Sequence, residues 1–378
     1  MDACDEQYLV QSGTGRRALQ SAHARECRPL PRAPSEPRNH AANLNEEQED
    51  DTSGALENVL CASAVRLAAT AIAAVLPTPA AVVASSARRT ERVQPPEGKF
   101  IDVSGVRVHY VDEGSGPPLV LIHGNAMSSQ DFVASGIVAR LAERHRVMLF
   151  DRPGFGYTDR PRGTAWTPIR QAKLLHQALT KLEVIAPIVL GHSLGALVSI
   201  ALAIGHPGYV RALVLLSGYY YPTMPFASPL LAVPVMPVIE DIMRFTVSPV
   251  LAWLAESVLT EQLFAPAPVP ERFLAYRLST AQHRSQIWAS MEDASFVNHT
   301  AKRLQGHYSE LTVPVEILAG DGDKIVNTVA HSERLAHDLP TAHFSAVPDA
   351  GHMIHYIAPE RVMAAVHAVT RSARETAE

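Results

Sequence analysis

The chain has 378 residues, enough for one large domain or two ordinary ones with a buried core. Hydrophobic residues make up 47% of it and charged residues 19%, which is typical of a globular protein and excludes a fibrous one. A net charge of −5, without a dense run of Lys and Arg, argues against a nucleic-acid partner. All three cysteines lie within the first 61 residues, so no disulfide can link later parts of the chain.

Residues 1–94 are predicted to form a largely disordered N-terminal tail. Four prolines and an acidic run over 46–51 leave its first 54 residues too polar to bury a core. Residues 59–84 differ, being apolar and rich in Ala. Three interpretations stay open for them: a single membrane anchor, a secretory signal behind a wrongly assigned start, and an amphipathic or disordered segment. We therefore expect a protein that is either membrane-associated through this segment or cytoplasmic.

After Gln94, short apolar runs alternate with helical patterns. A β-hairpin is predicted first, around Ser104-Gly105. Continuous apolar runs then predict strands buried on both faces, over residues 119–122, 147–150, 188–190, 213–216 and 315–318. Apolar residues at helical spacing predict helices over residues 132–144, 169–182, 196–204 and 329–339. This alternation predicts a mainly parallel sheet with helices on both faces.

One interval interrupts the alternation. About ninety residues between Ser217 and Val313 are rich in Pro, Leu, Trp and Tyr and contain no obvious core strand. We therefore predict a helical cap over residues 219–305, inserted into an α/β core made of residues 95–218 and 306–378.

The pentapeptide Gly191-His192-Ser193-Leu194-Gly195 follows a buried strand and opens an apolar helix. Small residues on both sides of a serine permit the sharp strand–turn–helix connection that exposes its hydroxyl. The N-terminus of the following helix then directs free N–H groups and a positive dipole at the reacting centre. Ser193 is thus predicted to be a catalytic nucleophile.

A serine hydroxyl needs a base to remove its proton, and His352 is the favoured candidate, with His355 as the local alternative. His352 lies in a loop between a predicted strand over 344–347 and the C-terminal helix. The imidazole needs a carboxylate to orient it. Asp323 is favoured because the apolar residues after it can fix its direction, and Asp321 is the alternative.

The reaction also needs hydrogen-bond donors for the developing oxyanion. The backbone N–H of Leu194, directly after the nucleophile, is the first predicted donor. The N–H of Asn125, in the His123-Gly124-Asn125 turn after the first buried strand, is the second. Each such donor typically contributes roughly 3–4 kcal/mol in the transition state.

From about Phe100 to the C-terminus, the chain resembles the serine-nucleophile, esterase- and lipase-like branch of the α/β-hydrolase fold family. The His123-Gly124 turn, the loop Asp151–Gly156, the serine turn, the acid loop and the histidine loop match family motifs in the family's order. The resemblance implies an α/β fold with a mostly parallel sheet of about eight strands, flanking helices and an inserted helical cap. It also implies a structural role for Asp151.

A second likeness bears on the reaction. His123-Gly124-Asn125 followed by Ser128-Ser129 resembles the halide-binding loop of haloalkane dehalogenases. Those enzymes and the related epoxide hydrolases use an aspartate nucleophile, whereas this chain has Ser193. The family resemblance therefore implies cleavage of a carboxylic ester through an acyl-enzyme. Carbon–carbon bond hydrolysis or haloperoxidase-like activity on the same triad is an alternative, and a non-catalytic binding protein of the same fold is a third.

The expected partner is a small apolar ester, and the oligomeric state stays open. None of the 17 histidines falls in a metal-binding spacing, so neither a metal nor another cofactor is predicted. Apolar residues early in the cap predict a lipophilic entrance, although they fit a small core of the cap equally well: Tyr219, Tyr220, Tyr221, Met224, Phe226, Leu230, Leu231, Met236 and Trp253.

Overall fold

The computed structural model describes residues 96–223, 258–280 and 285–375. The predicted tail, including its apolar segment over 59–84, lies outside these ranges, as do residues 224–257 of the predicted cap. The domain boundaries therefore stay predictions. Within the described ranges, no helix combines the length and the apolar character needed to cross a membrane.

Eight strands form a single sheet. They are β1 Lys99–Val103, β2 Val106–Glu113, β3 Pro118–Ile122, β4 Arg146–Phe150, β5 Ile188–His192, β6 Ala212–Leu216, β7 Val315–Gly320 and β8 Ala342–Val347. Their order in the sheet is β1-β2-β4-β3-β5-β6-β7-β8. The pairs β1–β2 and β2–β4 are antiparallel, and every later pair is parallel. The predicted hairpin and the mainly parallel sheet are confirmed.

The central strands are buried on both faces, as their continuous apolar sequences predict. Every residue of β5 and of β6 is buried. In a parallel sheet, helices cover both faces, so both faces of the central strands must be apolar. The carboxyl ends of β3, β5 and β7 consequently meet at one edge of the sheet, where open α/β folds place their ligands.

The helices follow the strands in alternation. They are α1 Gln130–Ala134, α2 Ile137–Ala142, α3 Pro168–Lys181, α4 Leu194–Gly205, α5 Glu271–Thr280, α6 Ser285–Leu304, α7 Arg334–Asp338, α8 Ile354–Ile357 and α9 Pro359–Glu375. Residues 258–264 are also helical. A 3-10 turn, Gln305–Glu310, follows α6, and a π-helical turn, Val329–Glu333, precedes α7. All described regular structure between β6 and β7 is thus helical.

The prediction of one helix over residues 132–144 is wrong. The structure has two short helices there, α1 and α2, separated at Ser135 and Gly136. Gly136 has a φ of 78°, a left-handed conformation that ends α1 and redirects the chain. Ser135 Oγ also donates a hydrogen bond to the Phe132 carbonyl, 2.7 Å away, inside the last turn of α1.

Two of the tyrosines assigned to the predicted entrance are core residues. Tyr220 and Tyr221 are fully buried, and their backbone N–H groups donate to His331 Nδ1 at 3.0 and 3.3 Å. Tyr308 donates its hydroxyl proton to the Tyr220 carbonyl. Tyr219 alone stays partly exposed, and its hydroxyl donates to Asn298 in α6. The other predicted entrance residues lie outside the described ranges.

Candidate active site

Ser193 occupies the turn between β5 and α4. Its backbone angles are φ 54° and ψ −120°, outside the regions that residues with a side chain normally adopt. The Ser193 N–H donates to the Leu216 carbonyl at the end of β6, 2.8 Å away, which holds the turn against the sheet. This strained, partly exposed position is the geometry expected for the nucleophile of a strand–turn–helix elbow.

Close backbone contacts explain the two glycines around Ser193. A Cβ atom on Gly191 would lie 2.4 Å from Ser199 Oγ, and one on Gly195 would lie 2.2 Å from the Ile122 carbonyl oxygen. Both distances are far inside van der Waals contact, so no larger residue fits without moving the backbone. Gly195 therefore lets the turn approach the end of β3, and Gly191 lets the end of β5 approach the first turns of α4.

His352 and Asp323 are in direct contact. His352 Nδ1 lies 2.8 Å from Asp323 Oδ2, and both side chains are almost completely buried. Since a carboxylate accepts, Nδ1 carries the proton and Nε2 is left as the basic nitrogen. Asp321, the alternative acid, is exposed. His355, the alternative base, instead places Nε2 2.9 Å from Asp131 Oδ2.

The charge state of Asp323 follows from its surroundings. Burial opposes its ionised form, but the His352 imidazole and the N–H groups of Val326 and Ile325 outweigh that effect, so the pKa of Asp323 lies below its ordinary value. Those two N–H groups donate to Asp323 Oδ1 at 2.9 and 2.8 Å. The residues after Asp323 thus orient the carboxylate, although through backbone hydrogen bonds more than through the side-chain packing that their sequence suggested.

The serine turn and the histidine loop are joined by His192. Its Nε2 donates to the His352 carbonyl, 3.1 Å away, and the two imidazole centroids are 4.9 Å apart. Burial, together with the neighbouring His355 and His352, holds the pKa of His192 well below its ordinary value. A neutral imidazole therefore lies between the residue that precedes Ser193 and the backbone of His352. His192 thereby links the Ser193 turn to the loop that carries His352 and its partner Asp323.

The predicted oxyanion turn also lies beside Ser193. A Cβ atom on Gly124 would be 3.1 Å from Ser193 Cβ. Leu194 is the first residue of α4, where the N–H has no acceptor inside the helix. The side chain of Asn125 turns away, since Nδ2 donates to the Ser290 carbonyl in α6, 3.0 Å away. The donor roles of the Asn125 and Leu194 N–H groups stay predictions.

His123 supports this turn from inside the core. Its Nδ1–H donates to the Gly124 carbonyl at 2.8 Å, and its Nε2 accepts from the Arg152 N–H at 3.0 Å. Burial, together with the Arg152 charge, lowers the pKa of His123 to about 3. A neutral histidine therefore fixes the turn, with its proton on Nδ1.

Buried charges connect the same region to α6. Arg152 forms an ion pair with Asp293 and donates to Gln171 Oε1 at 2.9 Å. Arg160 donates to the other oxygen of Asp293, 2.9 Å away. Asp293 is completely buried. Asp151 is likewise buried and bonds His109 Nδ1 at 2.7 Å, which agrees with the structural role that the family resemblance gives it.

Several of these residues were not identified from the sequence. Asp293 and Arg152 are 141 positions apart, and Asp131 and His355 are 224 apart. Pairs at such separations leave no periodic pattern. Only weak sequence signals could have pointed to two of these residues. Asp131 is a charged residue beside apolar neighbours, and His192 lies inside the serine pentapeptide.

Comparison with known proteins agrees with this architecture. The alpha/beta hydrolase fold family matches residues 117–359, more than half of the chain. The chain is 27% identical over 281 residues to Haloalkane dehalogenase 2 of Mycobacterium tuberculosis, covering 73% of this chain and 95% of that protein. It is 35% identical over 124 residues to 2-hydroxymuconate semialdehyde hydrolase of Pseudomonas putida, covering 32% of this chain and 44% of that protein.

A solved structure shows the same fold. The esterase RhEst1 from Rhodococcus sp. ECU1013 superposes with a TM-score of 0.58 at 23% identity, covering 72% of this chain and 97% of that one. The strand order, the serine turn and the family match all agree. The chain belongs to the alpha/beta hydrolase fold family.

Proposed function

We propose that the protein is a serine hydrolase that cleaves a carboxylic ester through an acyl-enzyme. Ser193 is the nucleophile, His352 the general base and acid, and Asp323 the residue that orients His352. One observation carries this proposal: a serine in a strained strand–helix turn is linked, through the adjacent His192, to a histidine whose Nδ1 is bound to a buried carboxylate. Such a histidine presents a basic Nε2.

The chemistry follows from these roles. His352 Nε2 takes the proton of Ser193 as Oγ attacks the ester carbonyl carbon. The N–H groups of Leu194 and Asn125 donate to the oxyanion of the tetrahedral intermediate. When that intermediate collapses, the C–O bond breaks and His352 gives its proton to the departing alcohol. A water molecule, deprotonated by His352, then hydrolyses the acyl-serine ester and restores the enzyme.

An apolar substrate is supported by the residues that adjoin His352. Met353 follows it directly and packs in a buried cluster with Met127, Phe264, Phe273, Tyr276 and Tyr356. Leu263, in the helical segment over 258–264, accepts hydrogen bonds from the N–H groups of His352 and Met353 at 2.8 and 3.2 Å. Residues of the insertion thus cover the histidine loop with a packed apolar layer, and a substrate that reaches His352 past such a layer is expected to be a lipophilic or aromatic ester.

Carbon–carbon bond hydrolysis is the second candidate. It is favoured by the likeness to the semialdehyde hydrolase of Pseudomonas putida, which is limited to about a third of this chain. Dehalogenation is disfavoured despite the likeness to Haloalkane dehalogenase 2. The nucleophile position holds Ser193 rather than an aspartate, and the Asn125 amide, which the halide-loop resemblance would assign to the halide, donates to the Ser290 carbonyl.

A substrate panel separates these candidates. The full-length protein is assayed with p-nitrophenyl esters of increasing acyl length, a vinylogous diketone and a chloroalkane. We expect ester hydrolysis that favours longer acyl chains. His352→Ala should lower kcat by at least about a thousandfold, because the base is lost. Cleavage of the diketone or the chloroalkane without ester cleavage, or full activity of His352→Ala, would contradict the proposal.

A further inference from the structure

Three side chains of the types that bind metal ions come from distant parts of the sequence and meet beside the serine turn. Asp131 lies in α1, His192 ends β5, and His355 lies in α8. One nitrogen or oxygen from each lies within 4.8 Å of one from each of the others. All three residues are buried, with at most 1% of their surface exposed. Spacing along the sequence predicted no metal site, because the fold alone assembles this one.

The hydrogen bonds of the cluster leave donor atoms unused. His355 Nε2–H donates to Asp131 Oδ2 at 2.9 Å, and His192 Nε2–H donates to the His352 carbonyl at 3.1 Å. In the part of the chain that the structure describes, Asp131 Oδ1 and the Nδ1 atoms of His192 and His355 have no hydrogen-bond partner. In both histidines these bonds place the proton on Nε2, so each Nδ1 keeps a lone pair. Unpaired polar atoms at full burial are unfavourable and rare.

We propose that Asp131, His192 and His355 form a binding site for one divalent transition-metal ion of the Zn²⁺ type. Two imidazoles and one carboxylate are a donor set that Zn²⁺ and its neighbours accept, and no thiolate is present to select a softer ion. Ligand atoms that each lie about 2.0–2.2 Å from a tetrahedral ion are closer to one another than 4.8 Å, the limit within which the ligand atoms of this cluster lie. The site therefore closes by a small inward shift of the side chains. The carboxylate offsets part of the charge of the ion, and Asp131 Oδ1 and the two Nδ1 atoms offer lone pairs that no hydrogen bond uses in the described part of the chain.

The site adjoins the residues of the proposed hydrolase. His192 precedes Ser193 and holds the His352 carbonyl, so an ion bound to His192 would displace both from their positions in the ion-free protein. Zn²⁺ should therefore inhibit ester hydrolysis, a consequence that rests on the proposed function. Binding itself does not rest on it, and the Ser193→Ala variant should take up Zn²⁺ with unchanged affinity.

The test measures binding directly. The full-length protein is stripped with a chelator and titrated with Zn²⁺ against a chromophoric competitor, and with Co²⁺ while its d–d absorption is followed. We expect one ion per chain. Asp131→Asn and His355→Gln should each weaken Zn²⁺ binding by more than about 100-fold. Loss of a residue that only hydrogen-bonds to a metal ligand typically weakens binding by about 10–100-fold. His145→Gln is the matched control, because His145 is also buried with an unpartnered Nδ1 but lies outside the cluster.

A second measurement needs no variant and so does not depend on their folding. Crystals of the wild-type protein soaked in Zn²⁺ should give an anomalous difference peak among Asp131, His192 and His355. Absence of uptake, an ion bound elsewhere, or equal Zn²⁺ affinity in the folded cluster variants and in His145→Gln would overturn the proposal.

Discussion

Ser193 holds a backbone conformation that costs about 1–3 kcal/mol in typical proteins, and the surrounding contacts have to offset that cost. They do so through the bond from its N–H to the Leu216 carbonyl and through Gly191 and Gly195, which let the turn pack closely against α4 and β3. The strain exposes the hydroxyl at the N-terminus of a helix. In the proposed mechanism, the reactivity of Ser193 then depends on the tautomer of His352, whose Nδ1 bonds Asp323.

Asp323→Asn tests that dependence. An amide at this position can donate to His352 Nδ1, which stabilises the tautomer with its proton on the wrong nitrogen. We expect kcat for ester hydrolysis to fall by about 10⁴-fold while the fold is kept. Asp321→Asn is the matched control and should stay near wild-type activity, because Asp321 is exposed and His352 Nδ1 bonds Asp323 instead. An equal loss in both variants, or in Asp321→Asn alone, would refute the assignment of the acid.

At the scale of elements, α3 and the end of α4 meet through a histidine stack. The rings of His176 and His206 are parallel, with centroids 3.6 Å apart. Burial, with a smaller contribution from His176, lowers the pKa of His206 to about 4, and burial also lowers the pKa of His176. If both rings were protonated, two positive charges would lie about as close as the 3.6 Å between the ring centroids, and their repulsion would destabilise the stack.

This stack predicts a pH-dependent stability. In the unfolded chain a histidine has a pKa of about 6.5, so between pH 6.5 and about 4 the unfolded state binds more protons than the folded one. The free energy of unfolding should therefore fall as the pH falls through that window. In urea titrations, His206→Gln should flatten the fall. An unchanged slope in the variant would contradict a neutral stack.

The elements themselves were largely predictable, for identifiable reasons. Strands such as β5 and β6 are continuous apolar runs, and burial on both faces requires that pattern. The helix predicted over 132–144 failed because its apolar spacing continues across Gly136, whose left-handed backbone breaks the helix. Periodicity reports which faces are buried, but it does not report such a local change of direction.

At the scale of the whole molecule, α6 of the insertion is fixed to the core by the buried Asp293. Its carboxylate joins Arg152 and Arg160, and Arg152 in turn donates to the carbonyls of His123 and Gly124 at 3.1 and 3.0 Å. One ion-pair network thereby connects the helix of the insertion to the predicted oxyanion turn. Removing the carboxylate would leave a buried guanidinium without its counter-charge.

Asp293→Ala should lower the free energy of unfolding by about 3–5 kcal/mol, the usual cost of leaving one buried charge unpaired. Chemical denaturation at neutral pH measures this loss. Glu292→Ala is the matched control: Glu292 also pairs with Arg160, but its side chain is 23% exposed, so about 0–1 kcal/mol is expected. Similar losses in the two variants would contradict the role given to Asp293.

In the candidate site, too, the local sequence predicted some residues and could not predict others. Ser193, Asp323 and His352 follow strands or precede helices, so local sequence signals predicted each of them. The pairs Arg152–Asp293 and Asp131–His355 depend on contacts between distant segments, and no local pattern marks them. Sequence therefore indicated the residues of the proposed triad, whereas the residues that contact and support them could be identified only in the folded chain.

The central claim is that Ser193 is an activated nucleophile, and covalent labelling tests it most directly. The wild-type protein is incubated with a fluorophosphonate and its intact mass is measured, with Ser193→Ala alongside. We predict one phosphonyl adduct per wild-type chain and none on Ser193→Ala. Wild-type protein that is folded but stays unlabelled, or equal labelling of Ser193→Ala, would contradict the account.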